Sequence, residues 1–164
     1  MFSLKDKVAI VTGSNKGIGK GIAMGFAKFG AHVVVVGRNE NLNIAVSEEI
    51  KSLGVRSLPV KLDVTDEKSV KTFFSTVMLE FGKIDILVNN AGTNIRKSPE
   101  LYSLEEWNFI MNTNLTSAFL CSKEAFMHMK NNKNGGKIIN IGSMLSIFGG
   151  EYAAVYAASK GGIV

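Results

Sequence analysis

Short unbroken apolar runs alternate along this chain with longer stretches in which apolar residues recur every three or four positions. Val8-Ala9-Ile10-Val11 is such a run, closed by Gly13, and suits a strand buried on both faces. Ile18, Ile22, Ala23, Phe26 and Phe29 then follow a helical spacing, and Gly30 is a natural stop. The alternation continues with a strand at His32–Val36, a helix over 40–53 ended by Gly54, and a strand at Val55–Leu62. Pro59 gives that third strand an edge position, because proline has no N–H for a central ladder. A helix over Asp66–Phe81, a strand at Ile84–Val88 and a helical stretch over 103–131 come next, with a break expected near Asn112–Asn114. A fifth strand is expected at Lys137–Ile141, and a last helix starts near Ala153.

Strands alternating with helices of ten or more residues predict βαβ units and a parallel sheet. The fold class is therefore α/β, a doubly wound, Rossmann-like sheet ordered 3-2-1-4-5. The 164 residues correspond to one domain, 1–164, with no linker; Asn131–Gly136 reads as a polar turn. With 46% hydrophobic and 20% charged residues, the chain is not intrinsically disordered. No apolar run approaches the ~20 residues of a membrane helix, and the N-terminal segment from Met1 has no signal-peptide stretch, so a cytoplasmic location is expected. The single Cys121 excludes an internal disulfide and a cysteine-rich metal site, and no metal is expected. A net charge of +5 without a basic block argues against nucleic acid as partner, although an anionic small ligand would suit it.

After the first strand comes Thr12-Gly13-Ser14-Asn15-Lys16-Gly17-Ile18-Gly19, a glycine-rich turn feeding a helix N-terminus. Glycines admit a pyrophosphate to the backbone, and the free N–H groups and helix dipole stabilise its charge. The spacing G-x-x-x-G-x-G differs from the common G-x-G-x-x-G fingerprint, but strand, turn and helix fall in the required order for nucleotide binding. At the end of the second strand an acidic residue would favour the free ribose hydroxyl of NAD. Here the sequence reads Gly37-Arg38-Asn39, and Arg38, with Lys16 nearby, offers a fork to the 2′-phosphate of NADP. NADP(H) is therefore the favoured cofactor, with NAD(H) left open. Asp63 could accept from an adenine amino group with Val64 packed on the base, or could cap the helix near Asp66. In Asn89-Asn90-Ala91-Gly92, small residues would let a cofactor approach the carboxyl edge of the sheet, and Asn89 could brace that edge.

Tyr156 and Lys160 stand one helical turn apart and share a face. A free phenol, with a pKa of about 10, is a poor acid or base at neutral pH. A nearby ammonium favours the phenolate. Ser143 lies just past the fifth strand, where such sheets present ligand-binding groups.

Together, Thr12-Gly13-x-x-x-Gly17-x-Gly19, Asn89-Asn90-Ala91-Gly92, Asn114, Ser143 and Tyr156-x-x-x-Lys160 resemble the short-chain dehydrogenase/reductase family, from residue 5 to the last residue. The resemblance implies an oxidoreductase in which Tyr156 is the acid/base. Lys160 tunes that tyrosine and binds the nicotinamide ribose, Ser143 holds the substrate oxygen, and Asn114 holds a water of a proton relay. It implies cofactor contacts from Gly13, Ser14, Asn15, Lys16, Gly17, Ile18, Gly19, Arg38, Asp63, Val64, Asn90, Ala91 and Gly92, as well as Tyr156 and Lys160. It also implies a homo-oligomer, usually a tetramer, packed through helices around 115–131 and after 153. Residues 94–99 and 143–150 look most like the gluconate and deoxygluconate dehydrogenase branch, so a sugar acid or polyol is the expected substrate. Arg96 could pair with its carboxylate, or could be an exposed loop arginine. A 3-oxoacyl thioester is the alternative substrate, and a nucleotide-binding fragment without turnover is the alternative function.

His32 and His128 read as packing residues, and Cys121 as a small buried group. Trp107, Phe109, Phe119 and Phe126 read as core or as oligomer contacts. Family members continue beyond the point where this chain stops, so it is expected to be the N-terminal two-thirds of the fold. Its fifth strand would then be an uncovered edge, and its last helix would depend on packing to stay rigid.

Overall fold

The computed structural model describes residues 3–164; Met1 and Phe2, the start of the segment read above for a signal peptide, lie outside the described residues. Five strands form one parallel sheet: β1 (Val8–Thr12), β2 (His32–Gly37), β3 (Ser57–Lys61), β4 (Ile86–Asn89) and β5 (Lys137–Asn140). Their order is β3-β2-β1-β4-β5, as the alternation of elements predicts, with β3 and its Pro59 on an edge. Helices α1 (Gly17–Lys28), α2 (Glu40–Lys51), α3 (Glu67–Phe81), α4 (Leu104–Met111) and α5 (Ser117–Met129) connect the strands. Two short elements escaped the sequence pattern, a 3₁₀ turn at Pro99–Leu101 and α6 (Leu145–Phe148); α7 (Ala154–Ile163) closes the chain.

The strands read as continuous apolar runs because both faces of the sheet are covered. Side chains alternate across a strand, so Val8, Ile10, Val34 and Val36 pack with Phe73, Phe74 and Val77 of α3 and Leu120 and Cys121 of α5. Their neighbours Ala9, Val11, Val33 and Val35 pack on the other face with Ala23 and Ala27 of α1 and Val46 and Ile50 of α2. Burial pushes the Cys121 thiol up to about 12, which suits an inert core group. His32 accepts from the Arg56 N–H, and His128 stacks on Phe74, so both serve packing.

The expected break near Asn112–Asn114 is a π turn instead: the helix widens over Asn112–Thr116 and continues into α5. A π turn inserts a residue without ending the helix. Trp107, Phe109, Phe119 and Phe126 do not belong to the core, being 40–63% exposed. Every residue of β5 is exposed, including Ile138 and Ile139, so that edge stands open.

Candidate functional site

A crevice of about 570 Å³ opens over the carboxyl ends of β1, β2 and β4, within the range of small-molecule sites. Gly13, Asn15, Lys16, Gly17, Ile18 and Gly19 line one side, and Gly37, Arg38, Asp63 and Val64 the adenosine-like end. Asn90, Ala91, Gly92 and Thr93 form its floor toward α4, where Phe109, Asn112 and Thr113 also face it.

The glycine turn owes its shape to close packing. Gly13 and Gly17 have φ of 65° and 54°, left-handed values that favour glycine. A Cβ on Gly19 would lie 2.3 Å from the Gly13 carbonyl oxygen and 2.4 Å from Asn90 Nδ2, so any side chain there drives α1 off the sheet. At Gly17, by contrast, nothing lies within 4 Å of a Cβ position, leaving that face open. Helices α2, α3 and α4 begin on capping side chains from Asn39, Asp66 and Ser103. The first turn of α1 has neither a capping side chain nor an acidic residue, which leaves its N–H groups for an anion. Lys16 and Arg38 carry no ion pair among the described residues. The turn, the uncapped helix end and these two cations fit the diphosphate and ribose phosphate of a dinucleotide.

Ser14 is turned away from the crevice. It is fully buried, its N–H donates to the Val36 carbonyl and its Oγ accepts from the Val36 N–H, so it stitches the turn to β2. Thr12 Oγ1 accepts from the N–H groups of Asn90 and Ala91, joining β1 to the floor of the crevice. Asp63 accepts from Thr65 N–H and Oγ1, while the cap of α3 is Asp66; the capping alternative for Asp63 is thereby excluded. Asn89 braces the sheet edge, donating to Ser122 Oγ at 2.9 Å and Asn140 Oδ1 at 2.7 Å.

The second half of the site adjoins the crevice at Gly92 and Thr93. Asn114, buried in the π turn, accepts from Thr93 N–H at 2.7 Å and donates to the Thr93 carbonyl and to Ser159 Oγ, each at 2.9 Å. Ser159, unremarked in the sequence, donates in turn to the Tyr156 carbonyl. Lys160 is buried, and its Nζ donates to the Ile141 carbonyl at 2.6 Å. That Nζ lies 6.0 Å from the Tyr156 ring centroid and 3.9 Å from where a Cβ on Gly92 would sit. Burial pushes its pKa below the ordinary lysine value. Packing thus holds the short α7, with Val155 and Ser159 buried and Gly162 close against Leu115. Ser143 follows β5, its Oγ accepting from Leu145 N–H. Arg96 is exposed and outside the crevice lining, on a loop tied by Lys97 N–H to the Tyr152 carbonyl.

Residues 7–164 match the family model described as short chain dehydrogenase, and the chain belongs to that family. It is 40% identical over 163 residues to a 2-dehydro-3-deoxy-D-gluconate 5-dehydrogenase from Escherichia coli (strain K12), an alignment covering 99% of this chain and 64% of the relative. It is also 40% identical over 163 residues to a 3-oxoacyl-[acyl-carrier-protein] reductase from the same organism, covering 99% of this chain and 65% of that protein. Among solved structures, a short-chain type dehydrogenase/reductase from Mycobacterium marinum superposes with a TM-score of 0.92 at 34% identity, covering 98% of this chain and 64% of the other. The chain therefore spans just under two thirds of the length of these relatives.

Proposed function

We propose that this chain carries the cofactor-binding and reacting residues of an NADP(H)-dependent oxidoreductase that moves a hydride between nicotinamide and a carbonyl or secondary alcohol. The observation that carries this reading is the buried Lys160 ammonium, fixed between the Tyr156 ring and Gly92 at the rim of the open crevice. The cofactor supplies the hydride; the protein orients it and handles the proton. Gly13, Gly17, Ile18 and Gly19 receive the diphosphate on the uncapped α1, Lys16 and Arg38 the ribose phosphate, and Asp63 and Val64 the adenine. Asn15 and the floor residues Asn90, Ala91 and Gly92 complete the cradle. Ser143 hydrogen-bonds the substrate oxygen, and the Tyr156 hydroxyl gives it a proton in reduction or takes one in oxidation. Lys160 favours the phenolate electrostatically, and Asn114 links this proton path to a water.

A sugar acid or polyol is the substrate class favoured, on the likeness to the deoxygluconate dehydrogenase, with Arg96 as candidate partner of the carboxylate. Equal likeness to the 3-oxoacyl reductase makes a 3-oxoacyl thioester the competing substrate. The exposed Trp107, Phe119 and Phe126 support assembly into a homotetramer.

Replacing Tyr156 by Phe removes the proton donor alone. Turnover is expected to fall by about 10²–10⁴-fold, while NADPH affinity measured by fluorescence titration stays within about threefold. Undiminished turnover would refute the assignment. A panel of sugar acids, polyols and 3-oxoacyl thioesters separates the two substrate classes. A wild-type protein that binds NADPH yet reduces or oxidises none of them would be a nucleotide-binding module without turnover.

A further inference from the structure

The glycine turn, β2 and β3 meet at one buried amide. Asn43 faces inward from α2 and is fully buried. Its Nδ2 donates to the carbonyls of Gly37 and Val60, both at 2.8 Å, and its Oδ1 accepts from Asn15 Nδ2 at 2.8 Å. Both amide hydrogens are used. Gly37 must be a glycine for this junction to close, because a Cβ there would lie 2.3 Å from Asn15 Nδ2 and 2.9 Å from Asn43 Oδ1. The rest of the buried face of α2 includes Val46 and Ile50, so an apolar side chain at 43 would suit the helix as well. A buried amide costs stability unless it is bonded, and this one spends its acceptor on the turn rather than on the sheet.

The junction sits directly behind the two cations of the crevice. Asn15 precedes Lys16, Gly37 precedes Arg38, and all four line it. We propose that Asn43 is a positioning residue for cofactor choice. By tying Asn15 to the ends of β2 and β3, it holds Lys16 and Arg38 at a fixed separation that receives a ribose phosphate, and so favours NADPH over NADH. This inference rests on the NADP(H) reading above.

Dissociation constants for NADPH and NADH, measured by fluorescence titration, test it on the wild type, Asn15→Ala, Asn43→Leu and the double variant, with thermal unfolding followed in parallel. The wild type is expected to prefer NADPH. Each single variant should lose about tenfold in NADPH affinity, the equivalent of one coupled hydrogen bond, and less than about threefold for NADH. The double variant should bind NADPH no more weakly than Asn43→Leu, since both remove one link. Asn43→Leu also strands two sheet carbonyls; if it does not fold, Asn15→Ala, which cuts only the link, carries the test. Equal losses for both nucleotides, or an unchanged preference in Asn15→Ala, overturn the positioning role while leaving the NADP(H) reading intact. A wild type that prefers NADH overturns that reading itself.

Discussion

Arg38 enters the crevice at the point where β2 ends, with no carboxylate following it in the sequence and no ion-pair partner among the described residues. Substituting Asp reverses the charge that a ribose phosphate would meet. Arg38→Asp is expected to weaken NADPH binding by about 10- to 100-fold and to shift preference to NADH, as read by parallel titration of the two nucleotides. Retained preference for NADPH would show that Arg38 does not read the phosphate. Arg38 and Lys16 were legible because their place in the chain, at a strand end and inside a glycine turn, gives their location. Asn43 and Ser159 were not. Their partners lie 17 to 45 residues away, and only the folded sheet brings them together. Ser14 sits in the same turn as Lys16 yet points the other way, because motif spacing does not report side-chain direction.

At the scale of elements, β1 and β4 are joined at both ends by side chains. Thr12 does this at the carboxyl end and Asp85 at the amino end, where its carboxylate accepts from Val8 N–H at 2.9 Å and pairs with Lys7 and Lys83. Burial alone would raise the Asp85 pKa; the Val8 N–H and the two lysines outweigh it and hold the group below the usual carboxylate value. A carboxylate depressed in the folded state stabilises above its unfolded value and loses that contribution as pH falls through its folded one. Asp85→Asn should therefore cost about 1–3 kcal/mol at neutral pH. The gap from wild type should shrink below about pH 4. Urea unfolding at pH 7 and pH 3 checks this, and an equal gap at both would exclude the ionised carboxylate as the cause. The main strands and helices were legible because each has its own periodicity. The Pro99–Leu101 turn and α6 are too short to show one. The π turn keeps the helix going and only shifts its phase, so it looked like a break.

Across the whole molecule, periodicity could not tell a face turned to the core from one turned outward. That is why Phe119 and Phe126 were read ambiguously and prove exposed. The same applies to β5, whose apolar run resembles that of β1 although every one of its residues is exposed. An open edge carrying exposed isoleucines is a pairing hazard. The 164-residue chain by itself should associate in a concentration-dependent way in sedimentation velocity, and Ile139→Lys should reduce that association. A wild-type chain that stays monomeric over the same range would contradict the expectation.

The opposite margin of the sheet behaves differently. Pro59 lies in β3 without an N–H, so the outermost ladder on that side is interrupted. Enlargement of the sheet is thus a one-way process, admitted beside β5 and discouraged beside β3. The nucleotide cradle lies toward the sealed margin, while Ser143 and α7 lie beyond the unsealed one. Whatever chain is laid against β5 can remodel the reacting half while the adenosine half stays as it is.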